Sequence, residues 1–176
     1  MDNKTTEQSL WGLLEGITDN LKYKRLADVF RFVSFQPFET FGPHQHLRIE
    51  INYVKKGNCI LHLENESISF NENEMMIICS NVEHTFEAGS EGTTLMQLEF
   101  LPEIFSRFNP HAQDETGELT PVTIFSEENR LIKIVNNVRI MRAVQRIVNE
   151  MNLKNKYYQY LVVMYYAELL ILIYRY

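Results

Sequence analysis

The stretch Gly42–Gly57, Gly-Pro-His-Gln-His-Leu-Arg-Ile-Glu-Ile-Asn-Tyr-Val-Lys-Lys-Gly, decides the fold prediction. Polar and apolar residues alternate along it, and alternate side chains of a β-strand lie on the same face. The polar face carries His44, His46, Arg48, Glu50 and Asn52. The apolar face carries Leu47, Ile49, Ile51 and Tyr53. Because such a polar set is costly to bury unpaired, we expect its face to line a solvated surface or a polar cavity.

The two-residue period extends on both sides of this stretch, from about Asp28 to Phe100. Further strands are predicted in the segments DVFRFVSFQ, NCILHLE, SISF, EMMIIC and TLMQLEF. We expect turns at Gly57, Asn65, Asn71–Asn73 and Gly89–Gly92. Short strands at this regular spacing indicate an antiparallel sandwich or barrel rather than alternating strands and helices. VTIF (122–125) and LIKIV (131–135) add two possible strands, and the polar segment 109–121 is predicted to be an exposed loop.

Helical periodicity occurs at both ends of the chain. Residues 5–17 predict a short helix. Near the C-terminus, Asn136 or Asn137 can cap a helix that ends near Met151, and a second helix is predicted for Tyr157–Tyr174. The buried stripe predicted for the first of these helices consists of Ile140, Val144, Ile147, Val148 and Met151. We therefore divide the chain into an N-terminal segment (1–27), a β body (28–135) and a helical hairpin (136–176).

The last predicted helix is apolar almost all round, since only Gln159 and Glu168 interrupt its apolar and tyrosine residues. It is too short for a membrane span, and Glu168 lies in its middle. One face can pack on the rest of the chain. We expect the surplus face to meet another subunit or a domain that follows in the full-length protein, and we predict a homodimer through residues 138–176. The surplus apolar residues are predicted to include Leu161, Met164, Tyr165, Leu169 and Leu172.

Composition and charge exclude several classes of protein. The 176 residues are 45% hydrophobic and 23% charged, as in a globular domain, with a net charge of −6. Residues 1–129 carry 9 lysines and arginines against 21 acidic residues, whereas residues 130–176 carry 8 against 2. With its negative net charge, the whole chain is a poor electrostatic match for nucleic acid. Two cysteines in apolar runs and a polar N-terminus predict a cytoplasmic protein.

His44, His46, Glu50 and the later His84 are residue types that bind a first-row divalent metal. His46 and Glu50 are about 13 Å apart along a flat strand at ~3.3 Å per residue, so they can share an ion only if the strand bends or bulges. Three interpretations of the four residues stay open: a metal site (Zn, Ni, Mn or Fe), a metal-free pocket for a small polar effector, or a structural cluster. Arg48, Gln97 and Glu99 are candidate ligand-binding residues of the same cavity, and Arg48 could instead form a rim ion pair with Glu50 or Glu99.

At these residues the sequence resembles a known superfamily. His44, His46, Glu50 and Gly57 match the first cupin motif, His-x-His-x3-Glu-x6-Gly. The second cupin motif, Gly-x5-Pro-x-Gly-x2-His, aligns with Asn73, Cys79, Asn81 and His84, and only its histidine is present. The fold implied is mainly β: a cupin-like double-stranded β-helix, or jelly-roll barrel, with a C-terminal helical hairpin.

A larger part of the chain, roughly residues 28–176, resembles the regulatory half of AraC-family transcription factors. PHQHLRIEINYVKKG, NENEMMIICSNVEHTFE and the final AELLILIYRY support this resemblance. It implies a non-enzymatic module that binds a small polar effector in the barrel and dimerises through its helices. It also implies that DNA is read by a separate C-terminal domain, expected after residue 176. The alternative is a free-standing metal-dependent cupin enzyme, a dioxygenase or isomerase.

Two further groups of residues have simpler interpretations. We predict that His62 and His111 are structural, because neither lies in a recognisable site pattern. Arg139, Arg142 and Arg146 are predicted to form a basic stripe on the first C-terminal helix. This stripe is either a solvated helix face or a weak support for nearby DNA.

Overall fold

The structure, a computed structural model, describes residues 30–101 and 129–176. Seven strands and two helices lie within these residues. The strands are β1 (Phe30–Phe35), β2 (Thr40–His44), β3 (Ile49–His62), β4 (Ser67–Asn71), β5 (Met75–Ile78), β6 (His84–Phe100) and β7 (Leu131–Ile134). The helices are α1 (Val138–Leu153) and α2 (Tyr158–Tyr174). The predicted helix at 5–17, the loop at 109–121 with His111, and the strand at 122–125 lie outside the described residues.

The strands form one antiparallel sheet in the order β1-β6-β3-β5-β7. β2 pairs with the first part of β6, and β4 pairs with the last part of β3. β3 and β6 pair with each other along nearly their whole lengths, from Ile49 opposite Phe100 to His62 opposite Thr85. Each of these two long strands therefore has different neighbours at its two ends. The observed fold is the predicted cupin-type β-barrel followed by a helical hairpin.

The predicted turns at Gly57 and Gly89–Gly92 are wrong, because both segments lie inside the long strands. The β3–β6 register shifts between Val54 and Lys56 and again between Gly57 and Cys59, so bulges bend the pair where turns were expected. Gly57 has φ +79°, and a Cβ atom there would lie 2.1 Å from the carbonyl oxygen of Gly92. Glycine is therefore required by both the backbone conformation and the close approach of β6.

The second cupin motif, of which only the histidine is present, has positive φ values at the positions of its missing glycines. Asn73 and Asn81 stand at the two glycine positions of that motif, with φ values of 71° and 60°. Asparagine is one of the few residues that adopts this left-handed conformation readily. The missing glycines are thus replaced by the residue best able to form the same turns around β5.

α1 confirms the predicted cap and apolar stripe. The Asn137 side chain accepts a hydrogen bond from the Ile140 backbone N–H, 3.1 Å away, which satisfies one free donor of the first turn. The predicted stripe residues are all buried, together with Ala143. Contacts from the helices reach the barrel: the Tyr53 hydroxyl lies 3.0 Å from Met141 Sδ, and the rings of Phe100 and Tyr166 meet edge-on at 6.3 Å.

α2 is buried over more of its surface than α1, as its composition predicted. Leu169 and Leu172, expected on the surplus face, are only 0% and 8% exposed, which corrects that assignment. The exposed apolar residues lie nearer the start of the helix: Tyr157, Tyr160, Leu161 and Met164. Among residues 30–101 and 129–176, no helix has the length and apolarity required to cross a membrane.

Candidate functional site

A cavity of about 350 Å³ opens into the barrel between β1, β2, β3 and β6. Its polar lining consists of Arg31, Ser34, Glu39, His44, His46, Glu50, Asn52, His84, Gln97 and Glu99. Its apolar lining consists of Val33, Phe35, Phe41, Leu61, Ile78, Phe86 and Leu95. This volume lies within the range of small-molecule sites, which are typically apolar pockets with a few placed polar groups.

Four of the predicted site residues meet at this cavity. His44, His46, Glu50 and His84 each offer one ligand atom, and these atoms all lie within 4.8 Å of one another. His44 and His84 are directly opposite each other in the β2–β6 pair, with ring centroids 4.2 Å apart. The antiparallel pairing of β2 with β6 therefore explains how His84, which is distant in sequence, comes close to the other three residues.

His46 and Glu50 come together because the chain leaves the extended conformation between them. Residues 45–48 lie between β2 and β3 and belong to neither strand, so the 13 Å separation of a flat strand does not apply. His46 Nε2 lies 2.8 Å from Glu50 Oε2, and the other ring nitrogen, Nδ1, donates to the Arg48 carbonyl oxygen at 2.8 Å. The hydrogen bond to Glu50 is the largest cause of a raised pKa at His46.

Glu50 is a buried carboxylate surrounded by hydrogen-bond donors. Burial alone would raise its pKa, but hydrogen bonds from His46 and Asn52 outweigh that effect and lower the pKa to about 2. Asn52 Nδ2 and Gln97 Nε2 both donate to Glu50 Oε1, at 2.5 and 2.6 Å. The carboxylate is therefore ionised and held in one orientation at the floor of the cavity.

The remaining histidines leave nitrogen atoms without partners. His84 Nδ1 donates to the Val82 carbonyl oxygen at 2.9 Å. Its Nε2, which carries a lone pair in the neutral ring, has no hydrogen-bond partner among the described residues and lies 3.9 Å from Glu50 Oε2. His44 Nδ1 is also buried and unpartnered within that part of the chain. Burial and then the nearby His84 lower the pKa of His44, which favours its neutral form.

These observations fit a divalent metal. Two atoms bound to one ion at ~2.1 Å are about 3.4 Å apart in a tetrahedral site and at most about 4.2 Å apart, so the longest distance in the set would have to shorten by roughly 1 Å for all four to bind one ion. His46 and His84 each present Nε2 while Nδ1 is bound to a backbone carbonyl, the arrangement that orients metal-binding histidines. The three imidazoles and the carboxylate could hold Zn, Ni, Mn or Fe.

Other predicted site residues have different positions. Gln97 and Glu99 line the cavity, with Glu99 nearer the rim. Arg48 does not line it, contrary to the prediction, because residue 48 precedes β3 and the strand alternation does not extend to it. Its Nε lies 3.9 Å from Glu99 Oε2, so the rim ion pair is the interpretation that the geometry favours.

Several lining residues were missed by the sequence reasoning. Arg31 on β1 bonds Gln97 Oε1 through Nε at 2.5 Å and lies 3.9 Å from Glu99. Glu39 and Phe41 come from the segment before the histidine motif. The sequence around Arg31, Glu39 and Phe41 does not indicate a cavity. These residues reach the cavity because β1 and β2 pair with β6. Asn52 was placed on the correct face but was not recognised as part of the site.

His62, which was predicted to be structural, and the basic stripe of α1 both contact neighbouring side chains. His62, on the outer face, pairs with Glu87 Oε2 at 2.7 Å and with Ser67 Oγ at 2.8 Å. On α1, Arg146 bonds Glu168 at 2.5 Å and stacks over the Tyr165 ring. Arg139 and Arg142 continue the stripe along an exposed groove on the same helix.

With this geometry established, comparison with known proteins becomes informative. The sequence matches the family described as the AraC-like ligand binding domain over residues 29–160. The chain belongs to this family. The match spans the β-barrel, α1 and the beginning of α2. Membership in this family supports a ligand-sensing regulatory module.

Comparisons of whole sequences and structures add less. No curated protein matches significantly. A cupin-2 domain containing protein from Shewanella frigidimarina is 24% identical with a TM-score of 0.35, covering 39% of this chain and 65% of that one. KdgF from Halomonas sp. is 23% identical with a TM-score of 0.37, covering 39% and 63%. A cupin superfamily protein from Desulfitobacterium hafniense is 11% identical with a TM-score of 0.38, covering 40% and 63%. The AraC-like domain thus spans less than two thirds of each of these structures.

Proposed function

We propose that this chain is the effector-sensing and dimerisation module of an AraC-type transcriptional regulator, and that it binds a small polar metabolite in the barrel cavity. The observation that carries the proposal is the cluster of His44, His46, Glu50 and His84 inside a cavity of a ligand binding domain. DNA would be read by a separate C-terminal domain of the regulator. A cytoplasmic location is part of the proposal and agrees with the buried, reduced thiols of Cys59 and Cys79.

The proposed response follows from the two faces of β3. Glu50 and Asn52 face the cavity, whereas the next residue, Tyr53, contacts Met141 of α1 through its hydroxyl. An effector that binds one arrangement of β3 more tightly than another shifts the population of that arrangement. The helices that contact β3 would then change position, and with them the spacing of two DNA-reading domains.

If the effector binds in the cavity, replacing a cavity histidine should weaken binding, whereas replacing a histidine on the outer face should not. We expect His84→Ala to weaken the binding of any effector by at least tenfold, since it removes a buried contact of about 1.4 kcal/mol or more. His62→Ala, on the outer face of the barrel, is the matched control and should bind normally. Calorimetric titration measures both. Equal binding by wild type and His84→Ala would contradict a site in this cavity.

Dimerisation is proposed to use the exposed apolar residues at the start of α2. Leu161→Glu combined with Met164→Glu should convert a dimer into monomers, because unpaired charges at the centre of an interface are costly. Gln159→Glu adds a charge to an exposed position of the same helix and should leave the dimer intact. Sedimentation at tens of micromolar measures the outcome. A monomeric wild-type chain at that concentration would contradict the proposal.

The alternative, a metal-dependent cupin enzyme, is favoured by one observation: the paired backbone hydrogen bonds that direct Nε2 of His46 and His84 into the cluster. If an ion binds, it would supply a Lewis acid with open coordination positions. We expect protein purified without chelator to contain up to one equivalent of metal, and His46→Ala to contain none. Elemental analysis measures the metal content of both proteins, with His62→Ala as the control.

Reading the gene beyond Tyr176 separates the regulator from the enzyme, because only the regulator requires helix-turn-helix coding sequence there.

A further inference from the structure

The polar groups of the cavity differ in how far their hydrogen-bonding capacity is used. The donors have partners: Asn52 Nδ2 and Gln97 Nε2 bond Glu50, and His84 Nδ1 bonds the Val82 carbonyl oxygen. Arg31 Nε at the rim donates to Gln97. The floor of the cavity therefore offers an incoming molecule few free N–H groups, and the other guanidinium N–H groups of Arg31 lie at the exposed rim, 3.9 Å from Glu99 at the nearest.

The acceptors at the same place lack partners. His84 Nε2 and Asn52 Oδ1 are buried, belong to residues only 3% and 2% exposed, and have no hydrogen-bond partner among the described residues. His44 Nδ1 also has no partner there, and it accepts in one of the two neutral tautomers of the ring. All three residues line the cavity next to the ionised carboxylate of Glu50. A buried acceptor without a partner costs roughly 1–3 kcal/mol, which a ligand that donates to it recovers.

The lining of the cavity also includes several apolar side chains. Phe35 and Phe86 lie with ring centroids 4.5 Å apart, and Phe41 lies edge-on to His44 at 4.7 Å. Leu61 and Leu95 extend this wall. A ligand that reaches the acceptors therefore also places part of its surface against aromatic and aliphatic side chains, which stabilises it by about 25 cal/mol per Å² of apolar surface buried.

We propose that the effector enters with a hydrogen-bond-donating head group, an ammonium or a hydroxyl, attached to an apolar or aromatic body, and that carboxylate head groups are rejected. This inference rests on the proposed function, because it names the ligand class of the same cavity. A carboxylate has no hydrogen to donate at neutral pH and would face Glu50 and unpaired acceptors. An ammonium offers three donors and a positive charge beside Glu50, whereas a hydroxyl offers one donor.

Three compounds that share one body test the head group: 2-phenylethylamine, 2-phenylethanol and 3-phenylpropionate. Each is titrated calorimetrically into chelator-treated protein that elemental analysis shows to be metal-free. We expect the amine or the alcohol to bind at least tenfold more tightly than the carboxylate. The order of the first two identifies the donor as ammonium or hydroxyl. His84→Leu should reduce the preference over carboxylate to less than threefold, and His62→Leu should preserve it.

The outcomes separate this inference from the proposed function. If 3-phenylpropionate binds as tightly as the amine and the alcohol, or more tightly, the donor-head inference is wrong while the cavity remains a ligand site. If none of the three binds at millimolar concentration, the inference is also overturned. If a broad set of small molecules with all head groups fails to bind, the proposed function fails as well. Because the ranking is measured on the wild-type chain, it stands even if His84→Leu does not fold.

Discussion

Glu50→Leu is expected to destabilise the metal-free protein by about 3–5 kcal/mol, the usual cost of removing one partner from a buried charged cluster. The substitution leaves three donors facing an apolar side chain: His46 Nε2, Asn52 Nδ2 and Gln97 Nε2. For a chain of this length, the melting temperature should fall by roughly 10 °C. Chemical denaturation followed by circular dichroism measures the free energy of unfolding directly.

Two comparisons give this result its meaning. Glu50→Gln keeps an acceptor for Asn52 and Gln97 and should cost less than half as much. Glu87→Leu removes the carboxylate from the other His–Glu pair, whose 2.7 Å contact with His62 is as short but whose side chains are both 36% exposed. Because exposed pairs contribute about 0–1 kcal/mol, that variant should be nearly as stable as wild type. Equal losses for Glu50→Leu and Glu87→Leu would contradict the description of Glu50 as the buried centre of the site.

Gly57→Ala is the second substitution with a large expected effect. Its Cβ would lie 2.1 Å from the Gly92 carbonyl oxygen, and the residue would be held at φ +79°. The backbone conformation alone costs a non-glycine residue about 1–2 kcal/mol, and the clash is with backbone that is itself paired in the sheet. We expect a total loss of about 3–5 kcal/mol in the free energy of unfolding, or failure to fold.

Gly89→Ala is the matched control, since Gly89 lies in β6 opposite the same bend. Its Cβ would meet the Asn58 side chain, which can move aside, and would lie 2.9 Å from the Asn58 carbonyl oxygen, a smaller backbone overlap than at Gly57; no positive φ is required there. The loss should be about 1–2 kcal/mol. Denaturant titration of both variants tests the bend in β3 and β6. If Gly57→Ala is as stable as Gly89→Ala, Gly57 is not the point at which the two strands are forced together.

The sequence predicted the class of fold and the members of the central cluster, because both depend on local patterns. Alternation placed Glu50 and Asn52 on one face, and the helical period predicted the buried stripe of α1. The second motif was harder to recognise because Asn73 and Asn81 replace glycines while adopting glycine-like φ values. The amino-acid sequence of the second motif therefore differs from the cupin pattern at these two positions, while the backbone keeps the positive φ values that glycine favours.

Apart from Arg48, which lies in the break between two strands, the failures share a physical cause, since they concern contacts between residues far apart in the chain. Gly57 was predicted to be a turn because composition cannot distinguish a turn from a bulge inside a long strand. Arg31 and Glu39 were missed because strand pairing alone brings them to the cavity. Leu169 was assigned to a free face because periodicity cannot show which face of an apolar helix its neighbours cover.

The central claim is that an effector binds among His44, His46, Glu50 and His84. Its most direct test is a ¹⁵N correlation spectrum of the histidine side chains during titration with small amines, alcohols, polyols and carboxylates. We expect the ring-nitrogen resonances of His44, His46 and His84 to shift together with the binding isotherm of the ligand that binds, while those of His62 stay unchanged. Binding that leaves the three cavity histidines unperturbed, or that shifts His62 instead, would contradict the account.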